Sequence, residues 1–383
     1  MQRLPRLNLT GRTAVSGARA ANSLLGHIAK IHCIFGPVQV IRMGSTETSS
    51  PFTSATQFNI VALETFFTEL PKLSVPSPHT FSITEYNRTK VEEIPSRIKD
   101  ADILITTTIP LRAEHLSAKI SPRLKLIAVV ASGTDSIDLA ACDARSIRVL
   151  SSPNCNVTAV AEHAVALYFT ARRSIVPTMR DLRAGEWPVR GTLMKGVFAG
   201  GRPPISCSQE VVTVIGYGGV GQKVAKTFEA LGMQVVVAAR KGTTASDGRV
   251  DFEVALSTAT VVVLCCPRSK ETLGLLSGPE FALMRKEAVV VNVARGGIVD
   301  EQALLTALKD GQIAGAAVDV FDTEPAGPKT SPLLGEEAES LNLVVTPHTA
   351  WVGDATTTNY QRVLQENINN FILGKVKEER VKA

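Results

Sequence analysis

The chain has 383 residues, 44% of them hydrophobic, which is more than one core usually organises, so two domains are expected. No apolar run approaches the length of a membrane span, and the net charge of +5 comes from lysines and arginines interleaved with acids, which sets aside membrane-spanning and nucleic-acid-binding classes. The six cysteines, Cys33, Cys142, Cys155, Cys207, Cys265 and Cys266, show no metal-ligand spacing; reduced, buried thiols in a cytoplasmic protein without a metal site are expected.

Residues 1–55 read as an N-terminal extension. Arg3, Arg6, Arg12, Arg19, Lys30 and Arg42 precede the first acid, Glu47. That composition fits a mitochondrial transit peptide, which would give a mitochondrial location; a disordered extension or a start at Met43 fits as well.

From Phe58 the pattern becomes regular. Residues 59–63 fit a strand or the start of a helix reaching Leu70, whereas 101–107 and 124–130 fit buried strands with a short helix over 113–120 between them. Strands alternating with helices imply a parallel sheet, here a first α/β unit over 56–155. Its last clear strand ends in Ala131-Ser132-Gly133-Thr134-Asp135. Ligands collect at the carboxyl ends of such strands, so the N–H groups of Ser132 and Gly133 are candidates to grip a small anion, the alternative being an ordinary turn. A long helix is then expected from Ala159 to about Leu182, on which His163 reads as a packed core or interface residue. Gly185 to Gln209 is punctuated by glycine and proline and reads as loop.

The most informative stretch is Val211-Val212-Thr213-Val214-Ile215-Gly216-Tyr217-Gly218-Gly219-Val220-Gly221, a β-branched run ending in glycines and followed by an amphipathic helix that stops at Gly232. In a strand, Gly-x-Gly-x-x-Gly, helix arrangement, Gly216 allows the sharp turn, Gly218 admits a pyrophosphate, and Gly221 lets the helix pack closely. The helix N-terminus adds unpaired N–H groups and partial positive charge. A dinucleotide site is therefore expected. The next strand, 234–238, ends in Ala239-Arg240-Lys241, where an NAD site would carry an acid for the ribose hydroxyl. Two cations suit a 2′-phosphate, so NADP(H) is expected over NAD(H); a solvated basic turn is the alternative.

Further strands are expected at 260–265, 288–292, 315–320 and 343–345. Arg295, Asp319, Glu324 and His348 lie where these stop and so share one edge of the sheet. Hydride transfer to a 2-keto group needs a cation to orient carboxylate and carbonyl and an acid for the developing alkoxide. Arg295 is the candidate cation and His348 the candidate acid, with Glu324 on its other ring nitrogen to fix the tautomer.

The runs Asn292-Val293-Ala294-Arg295-Gly296-Gly297-Ile298-Val299-Asp300, Gly315 to Phe321, Glu324-Pro325 and Thr346-Pro347-His348-Thr349-Ala350-Trp351 resemble the D-isomer-specific 2-hydroxyacid dehydrogenase family, over about 102–374. The resemblance implies two Rossmann-like parallel-sheet α/β domains with a cleft between them: a discontinuous substrate domain, 56–155 plus 346–383, and a dinucleotide-binding domain, 156–345. It implies Arg295, Glu324 and His348 as the catalytic set, Ser132 and Gly133 with Arg295 on the substrate carboxylate, and Asp319 at the nicotinamide. Gly216, Gly218, Gly219, Val220, Gly221, Arg240, Lys241, Pro267, Val293 and Ala294 complete the candidate cofactor set. It also implies a homodimer, with the long helix contributing its apolar face around Ala164, Leu167 and Tyr168. The expected activity is NADPH-preferring reduction of a 2-keto acid, glyoxylate or hydroxypyruvate first, to the D-2-hydroxy acid. The alternatives are a bulkier branched or aromatic keto acid, received beside an apolar loop Thr108-Ile109-Pro110-Leu111, or a dinucleotide-sensing, corepressor-like protein. Glu324 stands where formate dehydrogenases carry glutamine, and the sequence ends soon after a helix at 359–373, unlike the long regulated phosphoglycerate dehydrogenases.

Overall fold

The computed structural model describes residues 52, 54–199 and 201–375. The expectations for the leader, including a start at Met43, and for Cys33 lie outside them. Folded packing begins earlier than position 56: Phe52 sits edge-on to Phe58 and Phe371, with ring centroids 4.9 and 5.7 Å away.

The first half contains β1 (Gln57–Ala62), β2 (Thr80–Glu85), α1 (Ile94–Ile98), β3 (Ile103–Thr106), β4 (Leu126–Val129), α2 (Leu139–Asp143) and β5 (Arg148–Leu150). Its five strands are parallel in the order β2-β1-β3-β4-β5. The central strands β3 and β4 are buried throughout, as near-continuous Ile, Leu and Val runs require when helices cover both faces. Of residues 59–63, expected as strand or helix, 59–62 are strand. Residues 113–120 form successive turns rather than the expected helix, because the Arg145 guanidinium takes the carbonyls of Leu116 and Ser121.

Next come α3 (Val157–Arg172), α4 (Ile175–Arg183) and α5 (Glu186–Arg190). The expected single helix to Leu182 is thus two helices. Pro177 has no N–H for the Arg173 carbonyl and would clash with it in a continuous helix; Ser174, at φ 45°, makes the break and leaves Pro177 in the first turn of α4.

The remainder is β6 (Val211–Ile215), α6 (Gly219–Ala230), β7 (Gln234–Val237), α7 (Phe252–Thr258), β8 (Val261–Leu264), α8 (Gly278–Leu283), β9 (Val289–Asn292), α9 (Glu301–Lys309), β10 (Gly315–Val318), β11 (Leu343–Val345) and α10 (Asp354–Ile372). Its six parallel strands run β11-β10-β9-β8-β6-β7. The fold class is as expected, two Rossmann-like α/β sheets. Helix α3 packs on the second sheet through Val160, Ala164, Leu167 and Tyr168, whereas α10 returns to the first through Tyr360, Leu364, Ile368 and Phe371. The α3 face expected at a subunit interface is therefore spent inside its own chain: Ala164, Leu167 and Tyr168 are buried against β-strands.

Candidate active site

In each sheet the strand order reverses next to the first strand, between β1 and β3 and between β6 and β8, and such switch points open a crevice at the carboxyl ends. At the second sheet, Gly216 (φ 92°) turns the chain out of β6, and a Cβ there would lie 2.5 Å from the Cys266 nitrogen beyond β8. A Cβ on Gly221 would strike the Gly216 carbonyl, so α6 rests directly on the turn. Gly218 caps α6 and faces open space, Gly219 begins the helix beside Asn154, and Val220 is half-buried. The twelve-residue α6 directs its free N–H groups over this gap, a cradle that fits a pyrophosphate. Pro267 is exposed across from the turn, and Val293 and Ala294 form buried floor after β9.

At the end of β7 the two cations differ. Arg240 is exposed and makes no ion pair among the described residues, whereas Lys241 Nζ lies 2.7 Å from Oε1 of Glu280. Glu280, nearly buried in the first turn of α8, also accepts the Ser277 N–H and hydroxyl. Burial opposes its charge, but Lys241 and Ser277 outweigh that and hold its carboxyl below the usual carboxylate range. Of the two cations expected at a 2′-phosphate, Lys241 is thus paired with Glu280 while still part-exposed, and Arg240 makes no ion pair among the described residues.

Loops of the two sheets meet at Gly133. A Cβ on Gly133 would stand 2.6 Å from Arg295 Nη2 and 2.5 Å from an Asp135 carboxylate oxygen, so both side-chain ends lie directly against the Gly133 backbone. Arg295 donates Nε–H to Asp135 (3.3 Å) and Nη1–H to the Ala294 carbonyl (2.8 Å), and its Nη2 lies against Gly133 with donors to spare. Ser132 donates its hydroxyl hydrogen to Asn156 Oδ1 (3.2 Å). Glu64, two residues past β1, accepts the N–H groups of Thr107, Thr108 and Ile109 and so fixes the loop after β3. Leu111 of that loop is buried in the core, whereas Thr108 is exposed and Ile109 and Pro110 are half-buried, so the apolar part of the loop that could face a pocket is Ile109-Pro110.

His348 Nδ1 is 2.7 Å from Glu324 Oε2, and Glu324 Oε1 accepts the Phe321 N–H at 2.9 Å. Burial raises the Glu324 pKa, but hydrogen bonding and charge from His348, the Phe321 N–H and the Arg295 charge overcome it, holding the carboxyl below the usual range. Glu324 therefore stays an acceptor and keeps the Nδ1 hydrogen in place. Asp319, expected at the nicotinamide, lies beneath this turn almost fully buried, with both oxygens on the turn's main-chain N–H groups. Sequence reasoning missed Asp135, Asn156, Glu64 and Glu280; only Glu280 had a local signal, the Ser277-x-x-Glu280 capping box.

Burial pushes the thiols of Cys142 and Cys266 up to about 12 and about 11, and raises Cys155 and Cys265 as well, so these cysteines are poor nucleophiles. Among the described residues no acid, histidine or cysteine cluster could hold a metal, and no helix is long and apolar enough to cross a membrane.

The family model described as "D-isomer specific 2-hydroxyacid dehydrogenase, NAD binding domain" matches residues 165–350. A glycerate dehydrogenase of Methylorubrum extorquens is 38% identical over 299 residues, 78% of this chain and 91% of its own. The chain belongs to the D-isomer-specific 2-hydroxyacid dehydrogenase family. A glyoxylate reductase of Pyrococcus furiosus is 31% identical over 74% of this chain and 82% of its own. Among solved structures, an acyclic imino acid reductase in complex with NADPH and D-Arg superposes with a TM-score of 0.66 at 27% identity, over 83% of this chain and 98% of that one. As a D-2-hydroxyacid dehydrogenase, the protein is an oxidoreductase that uses a nicotinamide dinucleotide on 2-keto or 2-hydroxy acids.

Proposed function

We propose that this dehydrogenase reduces a small 2-keto acid, glyoxylate or hydroxypyruvate, to the D-2-hydroxy acid, with NADPH preferred over NADH. The nicotinamide cofactor, when bound, supplies the hydride at substrate C2. Arg295 and the N–H groups of Ser132 and Gly133 hold the substrate carboxylate and polarise the neighbouring carbonyl. His348, with its Nδ1–H donated to Glu324, gives the proton on Nε2 to the oxygen as it becomes an alkoxide, and takes it back in the oxidative direction. The observation that carries this reading is the 2.7 Å His348–Glu324 contact, with Arg295 near enough to bias the same carboxyl.

Among the described residues, 56–155 with 346–375 make up the substrate domain and the stretch between them the cofactor domain. Arg240 is the cation for the 2′-phosphate; support comes from its exposed, unpaired position and from the NADPH held by the related imino acid reductase. Small substrates fit the glycerate and glyoxylate names of the relatives. The assembly is a homodimer, and the segment after α3 supports it: Ile175, Val176, Met179, Leu182, Trp187 and Val189 are large apolar side chains left exposed. Initial rates with glyoxylate, hydroxypyruvate, pyruvate, 2-ketoisocaproate and phenylpyruvate, each with NADPH and NADH, test the substrate and cofactor assignments. Highest kcat/KM with a small acid and NADPH is expected; preference for phenylpyruvate or for NADH would refute the corresponding part.

A further inference from the structure

His163 has no part in the chemistry above, yet it touches the turn that carries His348. From α3, its Nε2 lies 3.0 Å from Thr346 Oγ1 and 3.6 Å from Asp319 Oδ1. Thr346 Oγ1 lies 2.6 Å from Asp319 Oδ1. The threonine hydroxyl has one hydrogen and the carboxylate none, so that hydrogen goes to Asp319 and Thr346 can only accept from His163. The direction of donation is thereby fixed: His163 Nε2–H to Thr346, and Thr346 O–H to Asp319.

Asp319 is the hub. Its Oδ1 also accepts the Thr349 N–H (2.9 Å), its Oδ2 the Ala350 N–H (2.9 Å), and its own carbonyl the His348 N–H (2.7 Å). Three consecutive main-chain N–H groups, from His348 to Ala350, thus converge on one residue. They hold His348 at φ 54°, a left-handed conformation that a non-glycine residue adopts at a cost of about 1–2 kcal/mol. Such a conformation persists only where its surroundings over-determine it.

We propose that His163 and Thr346 are positioning residues for His348: their ordered donation into Asp319 locks the carboxylate onto the turn and so aims the imidazole at Glu324 on one side and the substrate oxygen on the other. The inference rests on the reading of His348 as proton donor. A misplacement of about 1 Å in such a group costs on the order of 100-fold in rate.

Thr346→Val keeps the shape and removes the hydroxyl; Thr346→Ser restores it. With glyoxylate and hydroxypyruvate as substrates, Thr346→Val is expected to lower kcat roughly 10–100-fold, with KM for the keto acid and the Kd for NADPH, read by fluorescence titration, within about threefold of wild type. Thr346→Ser should return kcat to within about threefold, and His163→Leu should lower it more than His163→Gln, whose amide still donates. A Thr346→Val kcat within twofold of wild type, a Thr346→Ser variant as impaired as Thr346→Val, or an NADPH Kd that rises in step with the loss of kcat would overturn the proposal. His348→Gln separates the two levels. If it retains wild-type kcat, the proton-donor reading falls and this inference with it; if it abolishes turnover while Thr346→Val does nothing, only the positioning role falls.

Discussion

Arg295 is held in place by two acceptors of its own chain, Asp135 and the Ala294 carbonyl, before any substrate arrives. Pre-orientation of this kind spares the ordering cost at the moment of binding. Arg295→Ala should cut kcat/KM for a 2-keto acid by roughly 10²–10³, the range seen for loss of one stabilising donor; steady-state kinetics showing near wild-type values would remove Arg295 from the site. Lys241 illustrates the opposite case, a cation already taken by a nearly buried carboxylate. Glu280→Gln keeps an acceptor for Ser277 and releases Lys241, so the ratio of kcat/KM for NADPH over NADH should rise about threefold to tenfold, the worth of one partly exposed charge contact. An unchanged ratio would mean that Lys241 does not reach the nucleotide. None of this pairing was legible in the sequence, because Glu280 is 39 residues away and meets Lys241 only once the strands are side by side.

At the level of elements, the second sheet was readable almost strand by strand. Its Val-rich runs are buried on both faces, and a parallel sheet makes that composition distinctive. Strand β2 (Thr80–Glu85) escaped notice because it is an edge strand with four of its six residues exposed, and β5 because it has three residues. Ser132, Gly133, Arg295, Glu324 and His348 were legible since each follows a strand end. Asp135 and Thr346 were not, because their partners lie 160 and 27 residues distant. A second long-range device ties α3 to the sheet: Arg172 donates to Glu210 (2.9 Å) and to the Thr260 carbonyl (2.8 Å), and Tyr168 donates to Glu210 (2.7 Å). Burial, with Glu210 beside it, pushes the Tyr168 hydroxyl pKa well up, so it remains a donor. Removing one partner of a buried pair costs about 3–5 kcal/mol, and Arg172→Leu should lower the denaturation midpoint accordingly. A midpoint equal to wild type in chemical denaturation would show that α3 is held by apolar packing alone.

For the whole molecule, the two sheets share chain ends: α10 returns to the first sheet after β11 completes the second, so the connections near Asn156 and Trp351 join the halves on either side of the site. The apolar side chains of α4 and α5 are left exposed among the described residues, and the homodimer reading assigns them to a second copy. Leu182→Asp should convert a species of twice the 40.9 kDa chain mass into one of single mass in light scattering; a wild-type protein already at single mass would refute the dimer. In the proposed reaction His348 gives the proton during D-specific reduction of a small 2-keto acid. NADPH oxidation with hydroxypyruvate by wild type and His348→Gln side by side, with chiral analysis of the product, tests this directly. D-glycerate is expected from the wild type, with a loss of at least about 100-fold in kcat for the variant, the lower range for a general acid. Formation of the L-product, or an undiminished His348→Gln rate, would contradict it.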